Sequence, residues 1–186
     1  MRELRSGLSE IVKCAIISDE NLFKKIENNI EFILNKDPEV ILSIIRKCVK
    51  IKAEFIELDE KDEKGIRIAL NFGHTLGHAL EILDSDMRHG EAIAIGMIFA
   101  GKLSMRLGLI KKDDFTRYNE LLRKICLIKN IPLIDTSKIV RIMHKDKKNT
   151  SNSINFVLPT GIGKKPILKP LDEKLIISEL KMQNVK

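Results

Sequence analysis

The stretch NFGHTLGHALE, residues 71–81, decides how this chain is read. Arg67, Asn71, His74 and His78 recur at spacings of four, three and four through it and the turn before it. At about 100° per residue, a helix running from residue 66 to about 83 projects all four within one narrow sector. A face meant only for solvent is usually built of lysine and glutamate. Arginine, asparagine and two imidazoles instead supply directed hydrogen bonds and donors for a metal or an anion. Gly73 and Gly77 each precede a histidine, and each glycine costs a helix about 1 kcal/mol relative to alanine. The pattern therefore calls for close approach by another helix or a ligand. A lone histidine here would more often be an ordinary core or surface residue; the i,i+4 pair with two glycines favours a site. The sequence HExxH does not occur, which excludes the zinc proteases that carry their histidines at the same spacing.

Working outward, His89-Gly90-Glu91 opens a further helix over residues 90–107. Its small residues Ala92, Ala94, Gly96, Ala100 and Gly101 imply close helix packing. Either His89 or Glu91 can complete a metal site with one helical histidine and a distant carboxylate. Glu10 is the best distant candidate. Its helix shows Leu8, Ile11, Val12, Ala15 and Ile16 on one apolar face, with Glu10 and Lys13 on the other. The bland alternative for Glu10 and Lys13 is a solvated i,i+3 pair.

The remaining elements follow from caps and periodicity. Ser18-Asp19 caps a second helix that lines Leu22, Phe23, Ile26, Ile30 and Leu34 along one side, and Asp37-Pro38 opens a third that runs to about residue 55. The charged run 59–64, ending at Gly65, reads as a solvated loop. Gly108 is a C-cap, and Asp113 or Asp114 starts a helix bearing Phe115, Tyr118, Leu122 and Ile125, with Pro132 beyond it. A short helix over 137–144 leads into a polar loop at 146–151. Residues 154–158 form a strand before the Pro159 and Gly161-Ile162-Gly163 turn, Ile167-Leu168 can pair with it, and Asp172 caps a last helix through Ile176, Ile177 and Leu180. The expected fold is mainly α, a helical bundle-like domain with one small β-hairpin, occupying residues 1–186 as a single unit.

Composition bounds the function. With 186 residues, 44% of them hydrophobic and 32% charged, the chain can bury a core and is not a disordered sequence. Its apolar runs fall short of a membrane span of roughly 20 residues, and the N-terminus has no secretion-signal pattern, so no membrane is expected and the cytoplasm is the expected compartment. Cys14, Cys48 and Cys126 lie outside any CxxC pair and are expected to be reduced and mostly buried. The net charge of +7 comes from scattered lysines without interleaved aromatics, so a nucleic-acid partner is not expected.

Taken together, RSGLSEIVKCAII at 5–17, KAEFIELDEKDEKGIRIALNFGHTLGHALE at 52–81, HGEAIAIGM at 89–97, DKKN at 146–149 and INFVLPTGIG at 154–163 resemble 3-dehydroquinate synthase, in that family's order. The resemblance covers essentially the whole chain as the family's C-terminal helical domain. It implies a divalent metal, Zn2+ or Co2+, held by Glu10, His74 and His89. It also implies that Lys13, Lys52, Arg67, Asn71, His78 and a lysine of the DKKN loop, Lys147 in preference to Lys148, contact a sugar-phosphate substrate. The implied reaction is that of a phosphorus-oxygen lyase of the shikimate pathway. It converts 3-deoxy-D-arabino-heptulosonate 7-phosphate to 3-dehydroquinate and phosphate, with NAD oxidising the substrate transiently and being regenerated.

This chain departs from the family in three ways. Ser9 and Cys14 stand where the family has Ala and Tyr, and the loop between Lys52 and Arg67 is one residue longer. No glycine-rich dinucleotide fingerprint occurs, so an N-terminal NAD-binding domain is expected to be missing as a partner, and the chain to be inactive alone. A homodimer is implied for the full enzyme. Two other functions compete: a different sugar-phosphate cyclase making aminocyclitol precursors, and a non-catalytic metal-binding module.

Overall fold

A computed structural model describes residues 1–61, 63–128, 135–144 and 153–184 of the chain. Among them the helices are α1 (Arg2–Ser18), α2 (Glu20–Asn28), α3 (Ile30–Leu34), α4 (Pro38–Leu58), α5 (His74–Leu83), α6 (His89–Arg106), α7 (Lys112–Cys126), α8 (Thr136–His144) and α9 (Glu173–Asn184). A 3-10 turn at Arg67–Asn71 precedes α5, and the strands β1 (Ser153–Leu158) and β2 (Ile167–Asp172) precede α9. The mainly helical class with one hairpin is what the sequence predicts. None of these helices is long and apolar enough to cross a membrane.

The core is organised around α6, which is buried on every side from Ala92 to Ala100. Helices α1, α5 and α7 pack around it, with β1 against it as well. The small residues of α6 explain how so many neighbours fit. A Cβ placed on Gly96 would lie 1.9 Å from the Gly73 carbonyl oxygen, and one on Gly90 would lie 1.9 Å from that of Ser6. Gly73 and Gly77 face the same contact from α5: Cβ atoms there would meet Met97 Cγ and Ile93 Cδ1, each at 2.6 Å. The glycines before the two histidines thus admit another helix, as their cost predicted. The cysteines are free, with Cys14 and Cys48 buried and Cys126 half-buried.

Most caps act as expected. Asp19 accepts from the Leu22 amide at 2.8 Å and Asp37 from the Val40 amide at 3.0 Å, with Pro38 in the first turn. Gly108 has φ +68°, and the amides of Gly108 and Leu109 close α6 by reaching back to Met105 and Ser104. Asp172 accepts from the Lys174 amide at the start of α9. The hairpin is antiparallel, pairing Ile154 with Leu171 and Leu158 with Ile167, so β2 extends well past Ile167-Leu168. The Gly163 amide pins the hairpin's turn to α1 by donating to the Ile16 carbonyl at 2.9 Å.

Four local expectations need correction. The second helix breaks at Asn29, giving α2 and α3. Helix α7 starts at Lys112 without a side-chain cap, leaving Asp113 and Asp114 in its first turn. The expected continuous helix from residue 66 is interrupted: the 3-10 turn ends, Phe72 is buried, and Gly73 takes φ +83° before α5 begins. That left-handed conformation suits glycine and lets the chain turn tightly against α6. Finally, the run from residue 59 is not wholly solvated. Asp59 is 2% exposed, and its carboxylate accepts from the amides of Lys64, Ile66 and Arg67. These bonds outweigh burial and hold its carboxyl below the usual aspartate range. The expected loop at 146–151 and the stop at Pro132 lie outside the described residues.

Candidate metal centre

Three elements bring donor atoms together at one place. Glu10 comes from α1, His74 is the first residue of α5 and His89 the first of α6. One donor atom from each of the three lies within 4.8 Å of the others. The imidazoles of His74 and His89 are 5.6 Å apart between ring centres, and His78, one turn along α5, stands 5.1 Å from His74 and 6.2 Å from His89. The contacts of α6 with α1 and α5 set this geometry. Gly90 seats α6 on α1 through its amide, which donates to Ser6 Oγ at 2.9 Å, while Gly96 seats it on α5.

Glu10 Oε2 accepts from Lys13 Nζ at 2.8 Å, but Glu10 Oε1 is buried with no hydrogen-bond partner among the described residues. That atom lies 4.0 Å from His89 Nε2, a little wider than the roughly 3.4 Å between two ligands of a tetrahedral zinc with bonds of about 2.0–2.2 Å, so a small side-chain movement brings both to one ion. His74 Nδ1 stands 3.2 Å from the Phe72 carbonyl. A carbonyl can only accept, so Nδ1 carries the proton and Nε2 keeps its lone pair. Burial, with the Lys13 charge adding, pushes His74 down to about 4, so the ring is neutral and able to ligate at neutral pH. His89 Nδ1 is 3.0 Å from Glu81 Oε1, which leaves Nε2 on the side of Glu10. Two imidazole nitrogens and a carboxylate oxygen are a donor set suited to zinc or a similar divalent ion.

The electrostatics of the Glu10–Lys13 pair are those of a wall, not of a solvated helix face. Lys13 is 3% exposed. Burial lowers its pKa, with the Glu10 carboxylate opposing. For Glu10, burial raises the pKa, but the charge and hydrogen bond of Lys13, with His74 and Lys52 behind them, more than reverse it. The net effect holds the Glu10 carboxyl below the usual glutamate range.

Of the other residues singled out in the sequence, Asn71, His74 and His78 line one cavity of about 400 Å³, together with Asn155 and the apolar side chains of Ile142 and Val157. Exposed Lys52 lies within electrostatic reach of Glu10 and Lys13. Arg67 lies in the 3-10 turn ahead of the break at Gly73, and its guanidinium donates to the Glu60 carbonyl at 3.2 Å. Lys147 lies outside the described residues. Glu91 turns away from the histidines, pairing with Arg2 at 2.7 Å and capping the Arg88 amide at 3.0 Å. Two residues that shape the site escaped sequence reasoning. Asp59 fixes the backbone that carries Arg67. Glu81 stands three residues after His78 on the same helical face, so its spacing was a usable signal.

Residues 7–149 match the family model described as 3-dehydroquinate synthase C-terminal. The chain is 41% identical over 177 residues to the 3-dehydroquinate synthase of Thermoanaerobacter sp. (strain X514), covering 94% of this chain and 49% of that protein. It is 42% identical over 169 residues to the enzyme of Thermodesulfovibrio yellowstonii, covering 89% and 47%. The chain thus spans about half the length of the curated relatives it matches. A solved 2-deoxy-scyllo-inosose synthase in complex with carbaglucose-6-phosphate, NAD+ and Co2+ superposes with a TM-score of 0.84 at 28% identity, over 98% of this chain and 53% of that one. A 2-epi-5-epi-valiolone synthase from Streptomyces hygroscopicus subsp. jinggangensis 5008, solved with NAD+ and Zn2+, shares the fold at a TM-score of 0.84 and 24% identity, over 98% and 51%.

Proposed function

The chain belongs to the 3-dehydroquinate synthase family, and from that membership we propose that it forms the metal- and substrate-binding part of such an enzyme. In this reading Glu10, His74 and His89 hold Zn2+ or Co2+. The observation that carries it is the orphaned, buried Glu10 Oε1, with Nε2 of His89 4.0 Å away. A buried acceptor without a partner is costly in a folded protein, and a cation between these donors removes that cost. The presence of Co2+ in the solved 2-deoxy-scyllo-inosose synthase, 28% identical to this chain, supports the choice of a divalent metal.

When bound, the ion supplies Lewis acidity toward the substrate hydroxyl that is oxidised, and three protein donors leave coordination positions for substrate oxygens. The chain's own residues do the rest. The buried ammonium of Lys13 keeps Glu10 ionised and offers its remaining donors to an anionic substrate oxygen. Asn71, whose amide both donates and accepts, orients hydroxyls in the cavity beside the histidines. His78, exposed toward the same cavity, exchanges protons with a bound hydroxyl. Arg67, Lys52 and Lys147 bind the carboxylate and phosphate, Arg67 through its planar fork and the lysines as point charges.

The reaction proposed for the complete enzyme is conversion of 3-deoxy-D-arabino-heptulosonate 7-phosphate to 3-dehydroquinate and phosphate. NAD is held by a dinucleotide-binding half, and the full enzyme is a homodimer. The 186-residue chain assayed by itself is then inactive. The test combines the zinc-loaded chain with the separately produced NAD-binding half of a curated relative and measures phosphate release and dehydroquinate. Product is expected from the combination alone. Turnover by the chain without the NAD-binding half overturns the partial-enzyme reading, and turnover of glucose 6-phosphate in place of the heptulosonate points to a different cyclase.

A further inference from the structure

The proposed metal ligands differ in how they are held. His74 Nδ1 is fixed by a backbone carbonyl, that of Phe72. His89 is the first residue of α6, and its side chain is 47% exposed, so packing alone does not set its ring. What meets its Nδ1 is the carboxylate of Glu81, at 3.0 Å, from the last two turns of α5. Glu81 is itself half-buried, its side chain 29% exposed, so the contact is not a fully solvated surface pair.

On this basis we infer that Glu81 is a positioning residue for the metal centre: its carboxylate fixes the tautomer and orientation of His89, and through them metal affinity. The inference rests on the proposed role of His89 as a ligand. An ionised carboxylate can only accept, so it holds the proton on Nδ1 and turns the lone pair of Nε2 toward Glu10. It also makes the imidazole a stronger donor, the part that outer carboxylates play for metal-bound histidines generally. Glu81 further ties the end of α5 to the start of α6. Position 81 closes the same α5 face that carries His74 and His78, at spacings of four and three.

The experiment compares zinc affinity, by competition with a chromophoric chelator, for the wild-type chain, Glu81→Leu, Glu81→Gln and His89→Ala. It also reads the tautomer of His89 in the metal-free wild-type chain by 15N-histidine NMR. Glu81→Leu should weaken zinc binding by about 10–100-fold, the usual effect of losing an outer partner. Glu81→Gln should lose less, because its amide oxygen still accepts from Nδ1–H. The metal-free wild-type chain should show His89 protonated on Nδ1. Wild-type affinity in both Glu81 variants, or an Nε2–H tautomer in the wild-type chain, overturns the inference; the tautomer reading needs no variant to fold. If His89→Ala weakens binding and Glu81→Leu does not, the positioning role alone fails. If His89→Ala binds zinc as wild type does, the site assignment fails and the inference with it.

Discussion

The contact between α5 and α6 offers a quantitative test of how the centre is assembled. Replacing Gly96 by alanine adds one methyl group at 1.9 Å from the Gly73 carbonyl oxygen, 2.9 Å from its carbon and 3.1 Å from the Gly77 nitrogen. All three are backbone atoms, so no rotamer change relieves the overlap. Ordinary contact begins at 3.4 Å, and the two helices must therefore part by 3.4 − 1.9 = 1.5 Å at this point. Overpacking a core costs about 1–3 kcal/mol, and a clash with backbone belongs at the top of that range. At roughly 2–4 °C per kcal/mol for a chain of this size, Tm should fall by about 6–12 °C. Function should suffer separately. Metal–nitrogen bonds are about 2.0–2.1 Å long and tolerate shifts of only about 0.2 Å, whereas the displacement moves His74 relative to His89 by several times that. Zinc affinity should drop by more than about 100-fold, the upper range for losing an outer partner alone. Gly7→Ala is the internal control: it lies within α1, nothing stands within 4 Å of its added methyl, and the exchange should stabilise by about 0.5–1 kcal/mol. Thermal melts and zinc titrations of both variants decide. A Gly96→Ala chain with wild-type Tm and zinc affinity would mean that the α5–α6 contact does not set the spacing of His74 and His89.

Two further outcomes follow from the charges of the site. Lys13→Met leaves the Glu10 carboxylate without its partner; since the Glu10 side chain keeps 24% exposure, the loss should be about 2 kcal/mol, below the range for fully buried pairs, and excess zinc should restore most of it in denaturant melts. The metal-free chain should lose stability as pH falls from about 6.5 toward about 4, because the unfolded chain protonates His74 there while burial holds the native ring at about 4; the contribution is fully present above pH about 6.5, and His74→Gln should flatten that slope in urea melts repeated across the window.

Much of the architecture was legible because it is local. The caps at Asp19, Asp37 and Asp172 and the C-cap at Gly108 are each set by a few neighbouring residues. The glycines of NFGHTLGHALE announced a close helix, and α6 is that helix. What escaped the sequence is non-local. The 4-3-4 spacing from Arg67 to His78 fits one continuous helix equally well, and only the approach of α6 to Gly73 shows why the chain turns there. Asp59 looked like one charge among many, yet its carboxylate gathers three backbone amides. The choice between His89 and Glu91 could not be made from spacing, since it depends on Arg2 reaching across from α1 to claim Glu91. Glu81 sat within the quoted motif, but its partner is eight residues away in the next helix.

Whether Glu10, His74 and His89 hold one ion is read from metal content after equilibration with zinc and removal of excess, by mass spectrometry of the purified 186-residue chain and of its Glu10→Ala, His74→Ala and His89→Ala variants. One zinc per wild-type chain is expected, and its loss from each variant while the helical circular dichroism persists. A wild-type chain that binds no zinc, or a folded His74→Ala chain that keeps its full complement, would contradict this assignment.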